Sequence, residues 1–326
     1  MSGYSSAGGQ PPQNDREWKL IEKLVLSMQD EQRKQRRWSI FFRAAGLGYL
    51  FLILLLVWPA RVSDRAPSLK DPHTALVDIS GMIAEGSDAS ANLITSGLRR
   101  AFEAENARAV LLRINSPGGS PVQAGYVFRE IQRLREKHPE KKVYAVITDL
   151  GASGAYYIAA AADEIYVDQA SLVGSIGVIM GGFGFTDAIE KLGIERRVMT
   201  AGDNKDMLDP FAPMQERHRD HVQVLLDQIH GQFMSAVEEG RGDRLDLSRR
   251  DDIFSGLIWT GDQAIELGLA DGLGSPGQVA RDVIGEDNIV DYTAVANPLE
   301  RFLRGLGVSV GEGIGRMLGL GQTGLR

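Results

Sequence analysis

The spacing of apolar residues changes character along the chain. Residues 1–14 are rich in Ser, Gly, Gln and Pro with little to bury, a composition that predicts disorder. Across residues 15–38, Trp18, Ile21, Leu24, Val25 and Met28 recur at helical intervals and form a narrow stripe. Such a helix either lies on a membrane or partner, or is solvated with an incidental stripe. Residues 39–60 are apolar almost throughout: Ala44 to Trp58 carries no charge, Arg43 sits near one end, and Trp38 and Trp58 bracket the run. About 20 apolar residues cross a bilayer, an Arg near a helix end can snorkel to the headgroups, and Trp favours the interface. The run predicts a single transmembrane anchor. A cleaved signal peptide fits less well, because the run starts far from Met1 and no small-x-small site clearly follows it.

Beyond a Pro-containing linker at residues 61–73, short continuous apolar runs alternate with helical stripes. Strands are expected at Ala75–Ile79, Ala109–Ile114, Val143–Thr148, Ile165–Val167 and Arg197–Thr200. Helices are expected at Ser87–Glu105, Pro121–Glu136 with Ser120 as N-cap, Gly154–Ala162, Gln215–Glu239, and from an N-cap at Thr260 through Leu267. This alternation predicts an α/β domain over residues 74–297 built on a largely parallel sheet. Residues 298–326 carry apolar residues interrupted by eight glycines and favour no single element.

Charge divides the chain. Residues 1–60 have a balance of +3 and residues 61–326 one of −10. Arg33, Lys34, Arg36, Arg37 and Arg43 crowd the N-terminal side of the apolar run, which places the N-terminus in the cytoplasm and the domain outside the inner membrane. The acidic body argues against nucleic acid as a partner. No cysteine is present, which excludes disulfides, thiolate zinc sites and a cysteine nucleophile.

Three Gly-rich turns follow strands, where α/β folds place their sites. Asn115-Ser116-Pro117-Gly118-Gly119-Ser120 suits bare backbone amides aimed at an oxyanion, or a simple tight turn. In Gly151-Ala152-Ser153-Gly154-Ala155-Tyr156-Tyr157, Ser153 opens a helix among small neighbours. It is either a nucleophile in an elbow without the G-x-S-x-G spelling or a helix N-cap. Ser175, in Val173-Gly174-Ser175-Ile176-Gly177-Val178, either orients a basic amine or belongs to a packing turn. None of His73, His138, His218, His221 and His230 has a triad-like setting, and each reads as a surface residue, His73 in the linker. Lys205, after the expected Arg197–Thr200 strand, is the remaining base if burial lowers its pKa. Otherwise it is an ordinary loop lysine, and Asp203, Asp206 and Asp209 must point away from it. Gly181-Gly182-Phe183-Gly184 lacks the context of a nucleotide loop.

In order, NSPGGS, GASGAYYIAAAADEIYV, LVGSIGVIM and TAGDNKDMLDPF, followed by WTGDQAIELGLADGLG, resemble the signal peptide peptidase A family in its short, single-copy form. The resemblance spans roughly residues 75–275. It implies a ClpP/crotonase-like fold with Ser153 as nucleophile, Lys205 as general base and Ser175 orienting the lysine. It implies Gly119 and Gly154 as the oxyanion amides. It further implies a homo-oligomeric ring or dome in which neighbouring protomers share each site, no metal or other cofactor, and remnant signal peptides as substrates at the periplasmic face. A crotonase-like acyl-CoA enzyme, a non-catalytic membrane-anchored scaffold and a protease acting on membrane proteins are the alternatives.

Overall fold

The computed structural model describes residue 23, residues 36–51 and residues 71–295. The chain divides into two units, Met1–Ala66 and Pro67–Arg326. In the first, residues 36–51 form helix α1. Trp38 stacks on Phe42 at 5.5 Å along it. The anchor expected at residues 39–60 is therefore helical as far as residue 51, and residues 52–60 lie outside the described residues. So do the segments expected at 1–14 and 298–326 and nearly all of the stripe at 15–38. Among the described residues no helix is long and apolar enough to cross a membrane.

The second unit alternates strands and helices. The strands are β1 (His73–Ser80), β2 (Ala107–Ser116), β3 (Val143–Ala152), β4 (Glu164–Val167), β5 (Leu172–Gly174), β6 (Ile258–Thr260), β7 (Gly272–Leu273) and β8 (Ile289–Asp291). The helices are α2 (Ala91–Glu103), α3 (Pro121–Lys137), α4 (Gly154–Ala159), α5 (Thr186–Lys191), α6 (Glu216–Arg241), α7 (Arg250–Ile253), α8 (Gly261–Glu266) and α9 (Pro276–Gln278). The sheet runs β6-β5-β3-β2-β1-β8, with β4 and β7 branching from β3. Every pairing is parallel except β5 with β6. Parallel strands are covered on their faces and read as continuous apolar runs, which is why Val110, Leu111, Leu112 and Ile114 are all buried.

One face of the sheet carries the main core, where Val77, Ile79, Val110, Leu112 and Ile147 meet Leu98, Phe102, Val127, Ile131 and Ile158 from α2, α3 and α4. The other face holds a smaller cluster of Leu76, Leu111, Tyr144 and Val146 against Val279 and Ile284. Local signals fix the helix starts. Ser120 accepts from the Gln123 amide with Pro121 just inside α3, and Thr260 and Gln263 form a reciprocal cap on α8.

β3 changes partner along its length, and this places the site. Tyr144–Ile147 pair with β4, and Leu150–Ala152 pair with β5. The chain leaves β3 at Ser153 beside the end of β5, which leads into Ser175. Helix α6 is locked at its C-terminal end. Arg241 is buried and donates to both carboxylate oxygens of Asp271 at 2.8 and 2.9 Å. A Cβ on Gly240 would overlap the carbonyl of Ala160, so the helix packs directly on the chain leaving α4.

Three expectations fail. Arg197–Thr200 is not a strand: residues 194–200 are irregular and exposed, with Met199 at 99 %. A segment becomes a strand only where a neighbour completes its ladder, and among the described residues no strand pairs with this one. His73 is not in a linker. It opens β1, fully buried; Nδ1–H donates to the Asp71 carbonyl at 2.9 Å, leaving Nε2 to accept from the Tyr292 hydroxyl at 2.9 Å. His218, expected at the surface, is also buried, with Nε2 bonded to Asn204 Oδ1 at 3.2 Å.

Candidate active site

Ser153 sits at the sharp turn from β3 into α4 with φ 53° and ψ −126°, a conformation rare outside glycine. It occupies the N-cap position of α4, yet its side chain makes no capping hydrogen bond. The backbone holds the turn instead. The Ser153 amide donates to the Gly174 carbonyl at 2.8 Å, and the Tyr157 amide donates to the Ser153 carbonyl at 3.0 Å. Ser175 has φ 50°, and its amide donates to the Leu257 carbonyl at 2.7 Å. Among the described residues only Leu208 shares this backbone region with the two serines outside glycine. Strained positions of this kind persist where surrounding structure holds them, and they cluster at functional sites.

The turn after β2 faces this elbow. Gly118 and Gly119 have φ 90° and 148°, and Ile83 pins the turn from outside. The Ile83 amide donates to Gly118, and the Ser120 amide donates to Ile83, each at 2.8 Å. These bonds pass either side of the Gly119 amide, which has no acceptor among the described residues. A Cβ on Gly154 would stand 3.3 Å from the Gly119 nitrogen, so the two amides border one small space. Together with the positive end of α4, this space suits a developing negative charge.

The cleft at this point has a volume of about 120 Å³ and is lined by Ser153, Gly119 and Gly154, with Tyr157, Val178, Ile179, Ile229 and Phe233 as apolar walls. Lys205 is not among its lining residues. It lies exposed in a turn, its amide donating to the Gly202 carbonyl at 3.2 Å. Asp209 pairs with Arg196 at 2.6 Å. The structure thus brings Ser153, Gly119 and Gly154 together, sets Ser175 on the neighbouring strand end, and leaves Lys205 outside the cleft.

Gly181-Gly182-Phe183-Gly184 lines a separate pocket of about 380 Å³ with Met180, Leu208, Met214 and His218. Among the described residues no group of acidic, His or Cys side chains is placed to hold a metal.

The α6 wall escaped the sequence reading, which gave that helix no part in a site. Its signal was present: Val222, Leu226, Ile229, Phe233 and Val237 recur at intervals of four and three. Ile83, which holds the Gly118-Gly119 turn, left no comparable trace, because its role depends on a contact between distant segments.

The model of peptidase family S49 matches residues 135–287. A candidate protease of Synechocystis sp. is 33% identical over 220 residues, covering 68% of this chain and 74% of its own. A candidate signal peptide peptidase of Enterococcus faecium is 29% identical, covering 63% of this chain and 58% of its own. A Brucella abortus protein named Na(+)/H(+) antiporter NhaA is 46% identical over 189 residues, and the match spans only 25% of that protein's length.

Proposed function

This chain belongs to peptidase family S49, and on that premise we propose that it is a membrane-anchored serine endopeptidase that cuts hydrophobic peptides with a Ser153–Lys205 dyad. The observation that carries the reading is the uncapped Ser153 side chain at a positive-φ elbow beside the amides of Gly119 and Gly154.

The chemistry follows from these groups. The neutral Lys205 amine takes the proton from Ser153 Oγ, and Oγ bonds to the peptide carbonyl carbon. The carbonyl oxygen gains the electron pair and is held by the Gly119 and Gly154 amides. Collapse breaks the C–N bond, and the ammonium of Lys205 returns its proton to the leaving amine. A water, deprotonated by the same lysine, then hydrolyses the acyl-enzyme. Ser175 orients the lysine. Lys205 lies exposed and outside the cleft of its own chain, so in this reading the Lys205 of one protomer docks into the cleft of the next. The reading therefore includes a ring or dome of identical subunits.

The apolar run at 39–60 anchors the chain in the bacterial inner membrane, with the domain on the periplasmic side, as the flanking charge favours. Anchoring raises the effective concentration of membrane-embedded peptides. Remnant signal peptides are the substrate class, supported by the name of the Enterococcus relative and the apolar cleft walls. The test is fluorophosphonate labelling and cleavage of a hydrophobic peptide by detergent-purified full-length chain, its Ser153→Ala variant and its Lys205→Ala variant. Loss of both signals in both variants is expected. Cleavage that survives Ser153→Ala overturns the assignment.

A further inference from the structure

The turn that carries Lys205 has little packing to hold it. Residues 201–205 are exposed, and Asp206, Leu208 and Asp209 line the pocket of about 380 Å³ that His218 and Val222 of α6 also line. Hydrogen bonds from the first turn of α6 hold it instead. Arg217 Nη2 donates to the Asp203 carbonyl at 3.2 Å, and His218 Nε2 donates to Asn204 Oδ1 at 3.2 Å. Two consecutive helix residues thus grip the two residues before Lys205. A side-chain amide oxygen can only accept, so Nε2 of His218 carries the hydrogen.

The two bonds differ in rigidity. Arg217 is exposed, whereas His218 is buried and its ring is fixed by its surroundings. Helix α6 is itself held further along. His230 donates from Nε2 to the Ile176 carbonyl at 3.1 Å, and Arg241 pairs with Asp271. At about 1.5 Å per residue, His218 stands about 16 Å from Ile229 along the axis, and Ile229 lines the Ser153 cleft. The helix therefore keeps the Lys205 turn at a set remove from the nucleophile of its own chain.

We propose that His218 is a positioning residue for the general base. Through Asn204 it fixes the turn to α6, so that Lys205 is presented to the cleft of the neighbouring protomer in one place. His218 takes no proton from the serine. Ser175 orients the amine once it is in the cleft, and His218 sets the turn that delivers it. The inference rests on the peptidase reading with its shared Ser153–Lys205 site and adds the residue that aims the lysine.

The test uses the full-length chain in detergent and cleavage of a hydrophobic peptide. A base delivered out of place slows the chemical step and leaves substrate binding alone, so His218→Leu should lower kcat about tenfold or more with KM unchanged. Asn204→Ala, on the exposed turn, should do the same. The double variant should be no slower than either single one, because each removes the same bond. His218→Gln, whose amide nitrogen can donate to Asn204, should restore kcat. A mixture of Ser153→Ala and Lys205→Ala chains separates aiming from folding. His218→Leu should lower the activity of that mixture about tenfold more in the Ser153→Ala chain, which supplies the lysine, than in the Lys205→Ala chain. An unchanged kcat in both single variants, or an equal loss from either placement, overturns the inference alone. A parent mixture without activity overturns the shared site, and no cleavage by the wild type overturns the peptidase reading. Either result overturns the inference with it.

Discussion

Gly118 lies directly against Ser153: a Cβ built on it would stand 2.8 Å from the Ser153 Cβ and 2.6 Å from the Gly154 amide nitrogen. The turn after β2 and the elbow after β3 touch with no room for a methyl group. Gly118 also has φ 90°, which an L side chain resists. Gly118→Ala must push the two turns apart and move the Gly119 and Gly154 amides off their common space. Loss of an oxyanion donor costs about 10²–10³ in kcat, and a fall of that order is expected with the circular dichroism spectrum retained. A kcat within twofold of the wild type would show that these amides do not act together.

The position of Lys205 sets a second expectation. If each site takes serine from one protomer and lysine from its neighbour, Ser153→Ala and Lys205→Ala chains co-assembled in equal amounts regain activity. Random assembly in a ring with head-to-tail contacts restores about a quarter of the sites. Peptide cleavage by the mixture, after joint refolding or co-expression, measures it. A mixture as inactive as either parent places both groups in one chain.

Strain at the elbow gives a third. Ser153 holds φ 53° without a side-chain cap, and such a backbone costs about 1–3 kcal/mol for a residue with a Cβ. Ser153→Gly relieves that cost, and Ser153→Ala keeps it. Both variants should be inactive. In urea denaturation the glycine variant should be the more stable by about 1 kcal/mol. The opposite order would mean that the turn is not strained.

A fourth concerns acid stability. Glu130 on α3 accepts from Arg133 on the same helix at 2.8 Å and from Arg99 on α2 at 2.6 Å. The hydrogen bond from Arg133, with help from Arg99 and against the opposing effect of burial, lowers the Glu130 pKa from 4.5 to about 2. Because the folded value is depressed, this contribution is fully present above the unfolded pKa and disappears as pH falls through the folded one. Glu130→Gln should therefore be less stable than the wild type at pH 7. The gap should narrow below pH 4.5 and close near pH 2, followed by thermal melting across that range. A gap independent of pH would show that the carboxylate charge is not what stabilises the α2–α3 pair.

Much of the domain was legible because its signals are local. Continuous apolar runs marked β1, β2 and β3. Ser120 with Pro121, and Thr260 with Gln263, marked the starts of α3 and α8 within a few residues of chain. The Gly-rich turns at Gly118-Gly119 and at Ser153 were visible for the same reason, since their backbone geometry selects the residue types that occupy them. Where the outcome depended on a distant partner, local pattern failed. Arg197–Thr200 was expected as a strand, and among the described residues no strand pairs with it. His73 and His218 read as surface residues and are buried by Tyr292 and by the Asn204 turn.

The sequence alone determined the alternation of strands and helices, the apolar run at 39–60 and the placing of glycine and serine at strand ends. Each follows from short-range sterics, hydrogen bonding and hydropathy. Tertiary structure decided which of those turns face each other. The mid-strand change of partner in β3, the contact of Gly118 with Ser153 and the α6 wall at Ile229 join residues far apart in the chain. Such contacts form only when burial of a shared core offsets the entropy of closing the loops between them.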